Sequence, residues 1–561
     1  YGLALPAEQE PVAGGFALIT SDGSRIVYAG PGSRLGQWQL WIKPRDRLTA
    51  TPLAGTGGVT AAAISPDDRW VAFAHGGILS TVPIRGGAVT DLLEGVGDVA
   101  GSIAWLADGS ILFTRTQDQE RGISRIAATG GSPQSVWTSD SLLPRFLTPL
   151  PHGRGVLFSA CPAPCERSAI WALDLEGDSA TRVVAEGVAA WYLSTGHLAI
   201  VRRDRLLLVV PFDLHSLRPR GTPVTVLDSI SWEGPAPYFA VSASGTAVMR
   251  VGTDASRLGF NLVRVDQTGR ETPLDSSWTF RVTQFAGNFG WALSPDGTRL
   301  AIGVNTPEGD DIWVKPLPRG PATRITFGPG PEFRPRWTAD GRFVTFVTPE
   351  GLARKRADGT GRDSLLVRGA LDEGQVSPDG RWVLFRNRAS SAASGGRDIF
   401  AIRPGVDSAP IPVLATPYDE MAIALSPDGH WMAYQSDESG RLEVFIRPFP
   451  NTSDQKVQVS SAGGTGPLWS RDGRELSYLR DDGTMMAVPI RGGAVLRLGE
   501  PRELFRLPER LSALGAKYYT PWDVGPDGSF IMAQSAETEA NRTPLVVVEN
   551  WLEEVQARLR H

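Results

Sequence analysis

No run of about eighteen consecutive apolar residues occurs in the chain, so no segment of it can span a bilayer as a helix. Basic blocks are missing too. The 56 Lys and Arg stand against 61 Asp and Glu, a formal charge of −5 with both signs scattered, which argues against nucleic acid as a partner. Histidine is sparse: His75, His152, His197, His215, His430 and His561 lie far apart, without the close pairing usual in metal sites, and neither a metal nor a cofactor is expected. The Gly-x-Ser-x-Gly nucleophile elbow, the phosphate-cradling Gly-x-x-x-x-Gly-Lys loop and the His-Arg-Asp and Asp-Phe-Gly signatures are all absent, so the chain reads as no enzyme. There are two cysteines, Cys161 and Cys165, in the loop Cys-Pro-Ala-Pro-Cys. They do not match a Cys-x-x-Cys redox motif, and two ligands do not make a zinc site. A loop-stapling disulfide is expected over free thiols, which implies an oxidising compartment.

What is abundant is Gly (63), Pro (43) and Trp (17) in 561 residues, a mixture of turn-formers and large apolar anchors suited to many short strands. One turn signature recurs: Ser65-Pro-Asp-Asp68, Ser294-Pro-Asp-Gly297, Ser377-Pro-Asp-Gly380, Ser426-Pro-Asp-Gly429, Ser470-Arg-Asp-Gly473 and Gly525-Pro-Asp-Gly528. Weaker copies end at Gly23, Gly109, Gly153, Gly196, Gly245 and Gly341, giving twelve repeats spaced by roughly 40 to 55 residues, the length of a four-stranded propeller blade. Pro presets the turn, Asp follows, and Gly accepts a left-handed backbone, so each copy closes a hairpin. Period-two runs such as Arg381-Trp-Val-Leu-Phe385 follow it, and a third strand comes about fifteen residues later, as in Asp311-Ile-Trp-Val314 and Glu443-Val-Phe-Ile446. The recurring aromatic of that strand is expected in the core, and the turn Asp is expected to shape the turn rather than hold calcium.

Several stretches resemble the TolB-type, WD-like propeller repeats of bacteria: Leu53-Ala-Gly-Thr56, Val82-Pro-Ile-Arg-Gly-Gly87, Gly440 to Pro450, Gly466 to Glu475 and Val546-Val-Val-Glu-Asn-Trp551. As a whole the chain is similar to the propeller region that follows the membrane helix in many bacterial eukaryotic-like serine/threonine protein kinases. It departs from them in carrying neither the kinase nor that helix. The resemblance implies an extracytoplasmic, periplasmic location, and the start at Tyr1 rather than Met implies a leader or anchor upstream.

Twelve blades exceed the usual four to eight of one ring, so the expected fold is all-β: two tandem six-bladed β-propellers and a C-terminal helix. The expected domains are 1–266, 267–549 and the helix 550–561. Tyr1-Gly-Leu-Ala-Leu-Pro6 is expected to complete the sixth blade with Tyr238-Phe-Ala-Val241, Thr246-Ala-Val-Met249 and Asn261-Leu-Val-Arg264. Glu271-Thr-Pro-Leu274 is expected to complete the twelfth with Pro521-Trp-Asp-Val524, Ser529-Phe-Ile-Met532 and Leu545-Val-Val-Val548. Asn550 with Glu553 reads as a helix cap, and Trp551, Leu552, Val555 and Leu559 as a stripe docking on the last blade. Candidate contacts with a partner come from loops entering the innermost strands: Arg145, Phe146, Phe280, Glu332, Phe333, Arg334, Tyr418, Glu420, Tyr518 and Tyr519. The function these features predict is a non-catalytic protein-interaction or scaffold subunit, docked on a membrane-associated complex. The alternative is the ligand-sensing ectodomain of a receptor kinase.

Overall fold

The structure, a computed structural model, describes the chain except residues 4, 7–8, 13–14, 33–36, 97–101, 116–120, 163–167, 178, 232–236, 252–258, 282–289, 307–308, 329, 388–396, 492–494, 509–510, 512–518, 537–543 and 560–561. The described strands form twelve antiparallel sheets, and in two of these the outermost position is split into two short strands. The hairpin turns account for the repeat. At Ser294-Pro-Asp-Gly297 the Ser294 hydroxyl donates to Asp296 at 2.6 Å and accepts from the Arg299 N–H at 2.9 Å, while Asp296 also accepts from the Thr298 N–H at 3.0 Å. Gly297 takes a left-handed φ of 72°, and Asp68 takes the same place in its own repeat at 58°. These bonds hold the Asp296 carboxyl down at about 2, the hydroxyl of Ser294 contributing most. The turn Asp is thus fully engaged in turn geometry.

The chain divides into two compact units. The first comprises Tyr1–Ser33, Gln37–Ala255 and Asn541–His561, and the second is built on Ser256–Ala540. Each contains six of the twelve sheets. In the first unit the opening strands Ala17–Ile19, Val59–Ile64, Ile103–Trp105, Leu142–Pro149 and Ala189–Leu193 neighbour one another in turn, and Phe239–Val241 returns to Ala17–Ile19. The sheet of Ala189–Leu193 shares a core with that of Phe239–Val241, so the succession closes.

The second unit closes through hydrogen bonds from side chains of one sheet to the backbone of the next. The Trp337 indole donates to Ala292 O at 2.8 Å, and the Arg334 guanidinium to Asp372 O. Glu373 accepts from Ile423 N at 3.1 Å, Gln435 from Gly466 N at 2.8 Å, and Thr520 donates to Pro467 O at 3.2 Å. Asp523 then accepts from Leu293 N at 2.6 Å, returning to the first sheet of the unit. Every junction between neighbouring sheets carries such a bond. Each of these bonds satisfies one backbone group of an innermost strand.

The last sheet of each unit corrects the sequence-based strand order. Phe239–Val241 and Ala247–Arg250 pair not with Phe260–Val265 but with Leu545–Val548, and Gly2–Leu3 lies outside that strand. Trp522–Val524 and Phe530–Ser535 pair with Phe260–Val265, and Glu271–Pro273 lies outermost. The two third strands are exchanged relative to the expected order. The division at 266/267 is therefore replaced by one in which the second unit is inserted into the last sheet of the first. The helix Trp551–Leu559 docks on the first unit rather than on the twelfth repeat: Trp551, Leu552 and Val555 join the core of Phe239 and Val201. Its start is fixed by Trp551 N donating to Gly245 O at 2.9 Å, with Asn550 in a left-handed conformation at φ 52°. Of the aromatics in third strands, Phe445 is buried, while Trp41, Trp171, Trp313 and Phe400 are half-buried and packed against the cores.

Candidate functional site

An antiparallel sheet brings the start of its opening strand beside the end of its second strand, so entry loops and second-to-third connections gather at one end of a unit. The predicted contact residues belong to that end, and the structure sorts them by role. Phe280 is 2% exposed and bridges Phe260, and Phe333 lies in a core with Val347 and Leu352, so both are packing residues. Tyr518 lies outside the described residues, as does Cys165. Cys161 is buried on the strand Gly155–Pro162, opposite Leu143.

In the first unit, Phe146 sits in a bulge of Leu142–Pro149 with a left-handed φ of 51°. That conformation turns a bulky residue into a cluster with Phe16, Val59 and Val188, entry residues of other sheets, and fills this end with apolar side chains. Arg145 beside it is half-buried. Its guanidinium has no hydrogen-bond or ion-pair partner among the described residues. Burial, followed by the like charge of Arg203, lowers its pKa.

In the second unit the same end is built from buried charge. Arg334, at φ 53°, donates to Asp372 O and lies 4.7 Å from the centre of the Tyr519 ring, itself buried. Burial lowers the Arg334 pKa to about 10, and Arg386 adds to the effect. Arg386, 1% exposed, faces Asp372 at 3.5 Å and Glu373 at 3.4 Å. Glu332 and Glu420 are 4% and 2% exposed. Each has one oxygen held by a threonine, Thr326 and Thr416 respectively, and a second buried oxygen without a hydrogen-bond partner. Burial pushes both carboxyls up to about 7, helped by Asp311 and Asp363 around Glu332 and by Asp398, Glu438 and Asp419 around Glu420. Tyr418, 44% exposed, stands at the rim.

Sequence reasoning missed Asp372, Glu373, Arg386 and Arg203, which become neighbours of the predicted residues only when adjacent sheets pack. It also missed a repeated hydroxyl: Thr56, Thr326 and Ser460 each accept the N–H of a third strand, from Leu40, Ile312 and Val444, at 2.8 to 3.0 Å. A Thr or Ser ending the outer strand of a repeat was the available signal.

Among the described residues, His75, Ser80 and Asp91 of the first unit form a Ser–His–Asp constellation. His75 Nε2 lies 2.9 Å from Ser80 Oγ, and that hydroxyl donates to Asp91 at 2.6 Å. The serine proton is committed to the carboxylate rather than to the imidazole, and Ser80 is 0% exposed. The order is wrong for activating a nucleophile. A cleft of about 520 Å³ in the second unit lies at the turns Ser470–Asp472 and Gly525–Gly528, and its Glu475 pairs with Arg502 at 2.8 Å. Its charges are satisfied locally.

No family model matches the chain. An uncharacterized protein of Agrobacterium fabrum is 26% identical over 219 residues, 34% of this chain and 68% of that protein. Among solved structures, a candidate TolB from Agrobacterium tumefaciens superposes with a TM-score of 0.37 at 16% identity, over 50% of this chain and 99% of its own. TolB from Acinetobacter baumannii gives 0.29 at 12%, over 70% and 77%, and the tricorn protease gives 0.27 at 11%, over 87% and 58%. The strand pairings described above, and not these superpositions, carry the fold.

Proposed function

We propose that the two units are six-bladed β-propellers and that the chain is a non-catalytic, extracytoplasmic protein-interaction or scaffold subunit. The observation that carries this reading is the division of labour within each unit. The sheets lock to one another through packing and side-chain-to-backbone bonds, while the buried carboxyls of Glu332 and Glu420 and the half-buried guanidinium of Arg145 stand at the strand-entry end. Rigid sheets presenting such an end suit recognition of a macromolecule. The polar groups there support no acid–base–nucleophile arrangement, since Glu332 and Glu420 face other carboxylates and Ser80 is wired to Asp91. An oxidising location is consistent with the paired spacing of Cys161 and Cys165.

The test is capture with the immobilised full chain from envelope and cytosolic extracts, alongside a broad hydrolase, kinase and oxidoreductase screen. Saturable enrichment of a protein from the envelope fraction, without turnover, is the expected result. Turnover abolished by one point substitution in this chain overturns the reading.

A further inference from the structure

We propose that a cleft at the turn end of the second unit seats a proline of a partner protein, at a place where the chain's own repeat lacks one. This surface lies at the end of the unit opposite the strand entries and goes beyond the reading above.

The turn joining the first and second strands of each sheet stands at that end. Four of the six turns in the second unit carry proline at their second position: Pro295, Pro378, Pro427 and Pro526. Each of these rings packs on the turn glycine of the next sheet. A Cβ on that glycine would lie 3.7 Å from Pro295 at Gly341, 3.5 Å from Pro378 at Gly429, 3.4 Å from Pro427 at Gly473 and 3.0 Å from Pro526 at Gly297. The two turns without proline leave the next glycine without such a cover. Beyond Ala339, a Cβ on Gly380 would meet nothing within 4 Å, and beyond Arg471, one on Gly528 would meet only the exposed Gln267 amide among the described residues.

Arg471 keeps the turn but leaves the seat. Ser470 Oγ still donates to Asp472 at 2.7 Å, and Gly473 takes a φ of 70°. The Arg471 guanidinium turns instead to the innermost strands, donating to Val524 O at 2.9 Å and Leu293 O at 3.2 Å. The cleft of about 520 Å³ opens between this turn and Gly525–Gly528, and every residue lining it is among those described. Its volume falls within the roughly 300–1,000 Å³ of ligand pockets. Charge does not select the occupant: Glu475 is paired with Arg502 at 2.8 Å, and Asp472 accepts from Ser470 and from the Arg474 N–H at 3.1 Å. Proline fits on two counts. Its ring is what covers the equivalent glycine at four other junctions, and it brings no N–H that would need a free acceptor. A proline-rich segment is also extended before it binds, so little conformational entropy is lost on docking.

The experiment titrates the full chain against acetyl-Gly-Pro-Pro-Gly-amide and its Ala-Ala and Leu-Leu counterparts, read by ligand-observed NMR. Saturable binding of the Pro peptide is expected, with the other two about tenfold weaker. Arg471→Pro restores the residue of the repeat, so the chain fills its own seat and peptide binding should be lost, while calorimetry shows the second unit still unfolding cooperatively. Gln267→Trp, at an exposed turn position, fills the cleft from another wall and should do the same, which keeps the proposal testable if Arg471→Pro does not fold. Ala339→Pro is the control: it covers Gly380 and should leave peptide binding unchanged. Equal or tighter binding of the Ala or Leu peptide overturns the proline assignment. Binding that survives Arg471→Pro or Gln267→Trp in folded protein, or that is lost with Ala339→Pro, overturns the site. No saturable binding of the Pro peptide to the unsubstituted chain does so as well.

Discussion

Truncation after residue 540 removes Leu545–Val548 and the C-terminal helix, which the strand pairing assigns to the first unit although they follow the second in sequence. Five side chains go with them that are each less than a tenth exposed: Leu545, Val547, Trp551, Leu552 and Val555. Burying side chains of this kind contributes roughly 1.5–3 kcal/mol apiece, so the loss is about 7.5–15 kcal/mol. A whole domain is stable by about 5–15 kcal/mol, and the strand Ala247–Arg250 also loses its ladder partner. The first unit should therefore unfold. The second should not, because Phe260–Val265 already fills the third position of its last sheet. Differential scanning calorimetry and limited proteolysis read the two units separately. The expected outcome is loss of one thermal transition, with rapid digestion of residues 1–255 and survival of a fragment near 256–540. A gentler variant, Val547→Asp, places a charge at a side chain 0% exposed and should lower the same transition without touching the other. Survival of the first unit with digestion of the second would refute the exchanged strand order, since that is what contiguous repeats require.

Glu332 and Glu420, raised from 4.5 to about 7, bind protons in the folded second unit between those pH values while the unfolded chain releases them. Their contribution to stability is full below about 4.5 and is lost as pH rises through about 7, by up to about 3 kcal/mol per group; urea titrations from pH 4.5 to 8 on the Glu332→Gln/Glu420→Gln double variant should show that slope flattened. Gly466 has a φ of 62°, and a Cβ there would meet the Trp522 ring at 2.5 Å, so Gly466→Ala should destabilise the second unit by about 2–4 kcal/mol in the same assay. Cys161 and Cys165 should resist alkylation until reduced in protein from an oxidising compartment, with intact mass rising by two labels only after reduction; two labels without reductant would remove the bridge.

The repeat itself was legible in the linear sequence because its cause is local. A Ser or Thr, an Asp and a residue tolerant of positive φ make the same turn wherever they occur, as Asp296 and Gly297 do and as Asp68 does without glycine. Strand alternation around each turn followed for the same reason. The docking stripe of the final helix, Trp551, Leu552 and Val555, was equally plain in its spacing, although the sheet it covers was not. Which strand completes which sheet was not legible. Asn261-Leu-Val-Arg264 and Leu545-Val-Val-Val548 are both short apolar runs that either sheet accepts by pattern, and only tertiary packing selected Val548 opposite Ala247 and Phe260 opposite Ser535. The site divided along the same line. Sequence placed Arg145, Glu332, Arg334 and Glu420 in entry loops, because loop position depends on the repeat. Whether each charge is matched depends on what the neighbouring sheet brings: Asp372 for Arg334, Asp398 for Glu420, and Arg203 for Arg145. Those partners lie tens of residues away in the chain, and the distance is closed only by the packing of one sheet on the next.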